Sequence, residues 1–292
     1  MNILETPNQY KDFSIPNYPQ LNNKKNFEGF FYDFFTENNV ECEFTYIPIQ
    51  WTNYLVSNGY GKNIEDLQNF LSKNLESDKK YFTVVQYAGG PLIKLDNTLI
   101  FSMGGAFNTP KGKNSKIIPL PLLYNHTFLE EEEEKKYIAS YLGRNTHKTR
   151  SKLQEKLSNK EDFYINNLSS MSSEIGEDNI KLFENLMKRS HFSLCPRGYG
   201  PTSFRLYESI KMGVVPVYIS DNFFLPFQDV IDWKKFSILL KDKHIKKLPQ
   251  ILQRILEDGT YAQLKESVDI VNKKFFTFDY MASYIRDKIY RD

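Results

Sequence analysis

Only two cysteines, Cys42 and Cys195, occur among the 292 residues. Two thiols so far apart in sequence supply neither a disulfide framework nor a zinc site, so the chain reads as one kept in a reducing compartment. No run of about 18 apolar residues occurs, which excludes a membrane-spanning helix. The opening residues, MNILETPNQYKDF, have neither the basic start nor the apolar stretch of a secretory leader. A Walker lysine motif and a GxGxxG are both missing, so the P-loop and dinucleotide fingerprints do not apply. No internal repeat is present. These absences predict a cytoplasmic globular protein.

What is present can build a core. Apolar residues make up 40% of the chain and charged residues 25%. The net charge of +2 hides an uneven distribution. Residues 1–134 hold 11 Lys/Arg against 17 Asp/Glu, a balance of −6, and residues 135–292 hold 27 against 19, a balance of +8. An acidic half followed by a basic half predicts two domains, 1–134 and 135–292, divided after the acidic run Glu130–Glu134. The basic half suits an anionic ligand.

Both halves alternate short apolar runs with amphipathic stretches. In the first, NFEGFFYDFFTEN has phenylalanines at helical spacing, and YFTVVQY and TLIFSM read as strands cut off by Gly89-Gly90 and Gly104-Gly105. KIIPLPLL, with its prolines, reads as an edge strand or connector. The second half alternates more regularly: KYIASYLG, KTRSKLQEKL, DFYINN, NIKLFENLMKRS, HFSLC, SFRLYESIKMG, VVPVYIS. Strand–helix–strand alternation at this spacing predicts parallel sheets covered on both faces, an α/β class. Ligands of such sheets bind beyond the carboxyl ends of the strands.

One stretch concentrates chemistry at such an end. HFSLC delivers the chain to CPRGYGP, and SFRLYESIK follows as a helix. Gly198 and Gly200 permit positive φ and close ligand approach. Thr202 or Ser203 can cap the helix through a side-chain oxygen. The first-turn amides then form an anion site. Arg205 can grip a phosphate with its two-toothed fork, and Arg197 adds a second cation. Glu208, three residues on, shares a face with Arg205 and can accept two hydrogen bonds from a ribose diol. An ordinary i,i+3 ion pair is the competing reading of that spacing.

The run Phe192–Ile238, FSLCPRGYGPTSFRLYESIKMGVVPVYISDNFFLPFQDVIDWKKFSI, closely resembles the exostosin family of glycosyltransferases. The likeness lies in Cys-Pro-Arg-Gly, Ser-x-Arg-Leu-x-Glu, Gly-Val-Val-Pro-Val, and Leu-Pro-Phe followed by Asp-Val-Ile-Asp-Trp. ASYLGRNTHKTR upstream is similar to the family's strand-Gly-then-Arg segment, and weaker likeness reaches YIPIQWTNY and FTVVQY. The resemblance implies a GT47-type enzyme of GT-B fold: two Rossmann-like parallel-sheet domains facing a central cleft, the first acceptor-side and the second binding nucleotide-sugar, with the last helix free to cross back to the first. It also implies a bacterial or viral origin for a chain with no membrane anchor.

The implied reaction is metal-independent, inverting transfer from a UDP-sugar to a glycan, polysaccharide or lipid-linked glycan acceptor. No Asp-x-Asp occurs, in keeping with the absence of a metal or other cofactor. The implied donor site comprises Arg144, Arg150, Arg197, Gly198, Ser203, Arg205 and Glu208, and His147 stands between two of its arginines. The general base stays open among Asp33, Asp96 and His126. Family members often carry a polar or acidic residue just after the Val-Val-Gln strand, where this chain reads Tyr87-Ala88-Gly89-Gly90. That departure keeps a second reading alive: a catalytically inactive glycan-binding or scaffolding partner of the same fold. Trp51 and Tyr54 are either core residues or stacking platforms for sugar. No nucleic-acid module is present, and the basic half is compatible with peripheral contact at an anionic membrane face.

Overall fold

In the computed structural model, which describes residues 2–11, 26–38, 40–123, 133–168 and 177–291, every strand pairing is parallel. The strands form two five-stranded sheets, one in each of two units. The first unit is Met1–Leu122 with Phe278–Asp292, and the second is Leu123–Thr277. The α/β class with two parallel-sheet domains of the GT-B type is therefore present. The sequence boundary at residue 134 lies just beyond 124–132, which are outside the described residues.

In the first unit β1 (Asn2–Ile3), α1 (Phe27–Glu37), β2 (Phe44–Tyr46), α2 (Trp51–Ser57), α3 (Glu65–Asn74), β3 (Lys80–Val85), β4 (Thr98–Ser102) and β5 (Lys116–Pro119) follow in order. The sheet order is sequential, β1-β2-β3-β4-β5, which puts the proline-bearing β5 at an edge. Tyr81 through Val85 are all buried, as a parallel strand covered on both faces requires. Asn26 starts α1 by accepting from the Gly29 amide at 2.8 Å. The helix then lays Phe31 and Phe35 inward, and Phe35 packs edge-on to Phe82 with ring centroids 5.1 Å apart. Burying a ring of this size stabilises the fold by about 1.5–3 kcal/mol. Trp51 is fully buried and its Nε1 donates to Thr83 Oγ1 at 2.8 Å, so it is core and not a stacking platform.

The second unit contains β6 (Tyr137–Arg144), α4 (Lys148–Leu157), β7 (Phe163–Leu168), α5 (Glu177–Lys188), β8 (Ser190–Pro196), α6 (Phe204–Lys211), β9 (Val215–Ile219), β10 (Ile238–Leu240), α7 (Leu248–Glu257) and α8 (Thr260–Phe275). Its sheet order is β10-β9-β8-β6-β7. The chain moves outward from β6 to β7, returns to the other side of β6 with β8, and continues to β9 and β10. Strand order thus reverses between β6 and β8, and such a switch point leaves a crevice at the strands' carboxyl ends. The helix α9 (Phe278–Arg291) belongs to the first unit, where Phe278 packs on Phe27 and Phe30 at 5.6 and 5.0 Å.

Candidate functional site

The switch point of the second unit gathers the predicted cations. Arg144 ends β6, Arg150 lies in α4, Arg197 directly follows β8, and Arg205 lies in the first turn of α6. Their guanidinium groups are engaged very unequally. Arg150 donates from Nη1 to the Arg144 carbonyl at 2.8 Å, from Nε to the Arg197 carbonyl at 3.0 Å and from Nη2 to the Pro196 carbonyl at 3.4 Å. It bridges the diverging ends of β6 and β8. Burial lowers its guanidinium below the ordinary arginine value. Three carbonyl acceptors make it a structural clamp.

Arg197 donates to the Asp221 carboxylate just past β9, and from Nη2 to the Tyr199 carbonyl at 3.3 Å. Burial pushes the Asp221 carboxyl up, but the hydrogen bond and charge of Arg197 outweigh it and leave the group below its ordinary value. Arg205 donates from Nη2 to the Leu142 carbonyl, and its guanidinium carbon stands 3.8 Å from the Phe183 ring centroid. Arg205 Nε and Glu208 Oε2 are 3.8 Å apart. That distance makes an ion pair and not a hydrogen bond, and Arg205 Nε is buried with no hydrogen-bond acceptor. Arg144, half-buried, makes no side-chain hydrogen bond or ion pair among the described residues.

The turn between β8 and α6 departs from its sequence reading in two respects. Neither Gly198 nor Gly200 adopts positive φ. Gly198 is needed for space: a Cβ there would sit 3.1 Å from Arg150 Nη2. The expected side-chain cap is also not made. Ser203 occupies the N-cap position without a cap hydrogen bond, and its Oγ is buried and unpartnered. Thr202 Oγ1 donates instead to the buried Tyr207 hydroxyl at 3.3 Å. The turn is fastened from β9, where Tyr218 Oη donates to the Pro201 carbonyl at 2.7 Å. The Ser203 hydroxyl at the start of α6 and the Arg144 guanidinium at the end of β6 are thus donors of the second unit with no partner among the described residues, and the amides opening a helix suit an anion.

His147 caps α4, with Nδ1 accepting from the Thr149 amide at 3.2 Å. Burial first, then the charge of Arg197, holds its imidazole below the ordinary value. Two contributors were not singled out from sequence. Tyr141 has Arg150 and Arg205 at 5.9 and 6.0 Å from its ring and donates to the Arg144 carbonyl at 3.2 Å. Asp221 directly follows VVPVYIS, with no neighbour in sequence to suggest its role.

Of the three base candidates, Asp33 and Asp96 lie in the first unit, on separate elements. Asp33 is half-buried in the middle of α1. Asp96 precedes β4, at the amino end of that strand, where Oδ1 accepts from the Lys113 amide at 2.7 Å and Lys94 pairs with it. Those contacts, the Lys113 hydrogen bond foremost, hold its carboxyl below the ordinary range. It organises a turn and lies away from the carboxyl ends of the strands. His126 lies outside the described residues.

Sequence reasoning overlooked Glu28. Fully buried at the start of α1, it accepts from the Thr52 amide at 2.9 Å, the Thr52 hydroxyl at 2.7 Å and the Gln86 amide at 2.8 Å. Gln86 Oε1 in turn accepts from the Phe27 amide at 3.0 Å. The carboxylate ties α1 to the start of α2 and to the end of β3. Burial pushes its pKa up to about 7, against the opposing pull of those hydrogen bonds.

Two parallel α/β units, one with arginines gathered at its switch point, define a protein of the GT-B type. Residues 93–255 match the Exostosin GT47 domain, and the chain belongs to that family. A probable glycosyltransferase of Arabidopsis thaliana is 40% identical over 97 residues, which are 33% of this chain and 20% of that protein. A probable glucuronosyltransferase of Oryza sativa subsp. japonica is 36% identical over 93 residues, covering 32% and 22%. A probable beta-1,4-xylosyltransferase of Arabidopsis thaliana is 37% identical over 82 residues, covering 28% and 20%. The chain thus spans about a fifth of the length of the curated relatives it matches. No described helix is long and apolar enough to cross a membrane.

Proposed function

We propose that this protein is a metal-independent, inverting glycosyltransferase that moves a sugar from a UDP-sugar to a glycan or glycolipid acceptor. Family membership and the glycosyltransferase names of its relatives support the reaction class. The observation that carries the donor site is the unclaimed set at the switch point: Arg144, Ser203 Oγ and the first amides of α6. In this reading the acceptor oxygen attacks the anomeric carbon opposite the diphosphate. The bond from carbon to the diphosphate oxygen breaks, and UDP leaves with the electron pair. Arg144, Ser203 and the amides meet the growing negative charge, while Arg205 and Arg197 complete the positive field. Glu208 accepts from the ribose hydroxyls.

The acceptor proton passes to a base, for which Asp33 and His126 remain the candidates. The inactive glycan-binding reading draws on one observation: the only carboxylate hydrogen-bonded at the end of β3 among the described residues is Glu28, which no solvent reaches. UDP-sugar hydrolysis without acceptor separates the two readings.

A thermal-shift series with UDP-, GDP- and CMP-sugars tests the proposal. Stabilisation by a UDP-sugar, lost in Arg205→Ala and Glu208→Ala, is expected. Equal stabilisation of the native protein and both variants would remove the site assignment.

A further inference from the structure

The second unit carries a second cationic feature outside the switch point. Lys148, Lys152 and Lys156 recur every fourth residue along α4, and Lys160 extends the series past its end. A step of four residues advances about 6 Å along one stripe of a helix. The buried side of the helix is Thr149, Leu153 and Leu157, so the lysine stripe faces outward. The short 3-10 turn Asp242–Lys247 packs against α4 and adds Lys243, Lys246 and Lys247, all exposed. Lys246 and Lys152 both act on the Glu155 carboxylate.

These charges are poorly compensated. Lys156 pairs with Glu155, but the ammonium groups of Lys148, Lys152, Lys243, Lys246 and Lys247 make no ion pair or hydrogen bond among the described residues. Like charges one turn apart on a helix oppose each other, so the stripe is not a device for stability. It also holds none of the exposed large apolar side chains, so nothing in it would enter the hydrocarbon of a bilayer. Its form is a line of charges, and it starts beside the switch point, where His147 caps α4 in the field of Arg197 and Asp221.

We propose that α4 and the 242–247 turn form a binding track for an acidic polysaccharide, with lysine ammonium groups meeting carboxylates borne along an extended sugar chain. A linear polyanion matches a linear cation array, whereas a membrane face makes no such demand. The binding itself is independent of the enzymatic reading; only the further step, that the bound chain is the acceptor, rests on it.

The test is binding of the full chain to immobilised polygalacturonate, with neutral xylan and phosphatidylserine vesicles alongside. Binding to polygalacturonate that weakens with added salt is expected, with none to xylan. Lys152→Ala/Lys246→Ala/Lys247→Ala should weaken it at least about tenfold, the loss of about 1.4 kcal/mol or more, and the matching triple arginine variant should keep it. The proposal is overturned by tighter binding to the vesicles, by no binding to polygalacturonate, or by equal binding of the alanine variant. The UDP-sugar thermal shift, read on the same samples, reports on the donor site separately. Its loss in the native protein would strike the enzymatic reading and leave the track standing.

Discussion

Arg150 holds the backbone carbonyl of Arg144 at 2.8 Å, so one arginine of the site is spent on positioning another. The two were equal candidates for phosphate from sequence, and their surroundings predict opposite behaviour on substitution. Arg150→Ala strips a charged donor from three carbonyls at the crevice. Each charged hydrogen bond contributes on the order of 1.5–3 kcal/mol, and the exposed remainder can be rehydrated, so a net destabilisation of about 3 kcal/mol is expected. Arg144→Ala removes a side chain with no protein partner and should change stability by less than about 0.5 kcal/mol. UDP-sugar stabilisation should vanish in Arg144→Ala all the same. Urea unfolding with and without UDP-sugar measures both, and matched stability losses would contradict the division of labour.

Ser203 offers a cleaner contrast. A serine that caps a helix loses about 1 kcal/mol on replacement by alanine. Here the hydroxyl makes no cap bond and is buried without a partner. Ser203→Ala should therefore be neutral or slightly stabilising in the absence of ligand, because an unmet polar atom has been removed. Its cost should appear only as weaker UDP-sugar binding, measured by calorimetry. A full capping loss in the free protein would show that the hydroxyl serves the helix.

Gly198→Ala tests the close approach of the turn to Arg150. The backbone there needs no positive φ, so the only penalty is the 3.1 Å contact with Nη2. That guanidinium is anchored on three carbonyls and cannot swing aside freely. A destabilisation of about 1–3 kcal/mol is expected, the range for overpacking. In an Arg150→Ala background the same substitution should cost almost nothing. A thermal-unfolding double-mutant cycle reads that coupling, and strict additivity would sink it.

What could be read in advance follows contact range. Strands and helices were legible because their signals are periodic within a dozen residues: KTRSKLQEKL is α4 residue for residue. The candidate turn could be singled out because Arg197, Ser203, Arg205 and Glu208 lie within twelve positions of one another. Which arginine is free was not legible. It depends on where Arg150 meets carbonyls nearly fifty residues away, at a switch point that only the strand order reveals. The cap was misread because Ser at an N-cap position fits both a capping hydroxyl and a ligand-facing one. Glu28 was passed over because its partners lie 24 and 58 residues distant, and a glutamate among phenylalanines on a helix gives no local sign of burial.

Glu28 makes the sharpest solution prediction. Its carboxyl has a folded-state pKa of about 7, raised by burial, against an ordinary 4.5 when unfolded. Between those values the folded chain binds the proton that the unfolded chain has released. Stability from this group is therefore greatest at and below the unfolded pKa, falls as pH climbs from 4.5 towards 7, and is level above that. One pKa unit corresponds to about 1.4 kcal/mol, so the fall is on the order of 3 kcal/mol. Glu28→Gln carries no titrating group and should flatten this part of the profile. It should be the less stable form at pH 5, because the protonated carboxyl keeps acceptor capacity on both oxygens for the N–H groups of Thr52 and Gln86, whereas the amide nitrogen accepts nothing. Urea midpoints of the two proteins should draw together between pH 5 and pH 8. If the native midpoint holds level across that range, or if both proteins lose stability in parallel, the slope belongs to other groups and Glu28 stays ionised throughout.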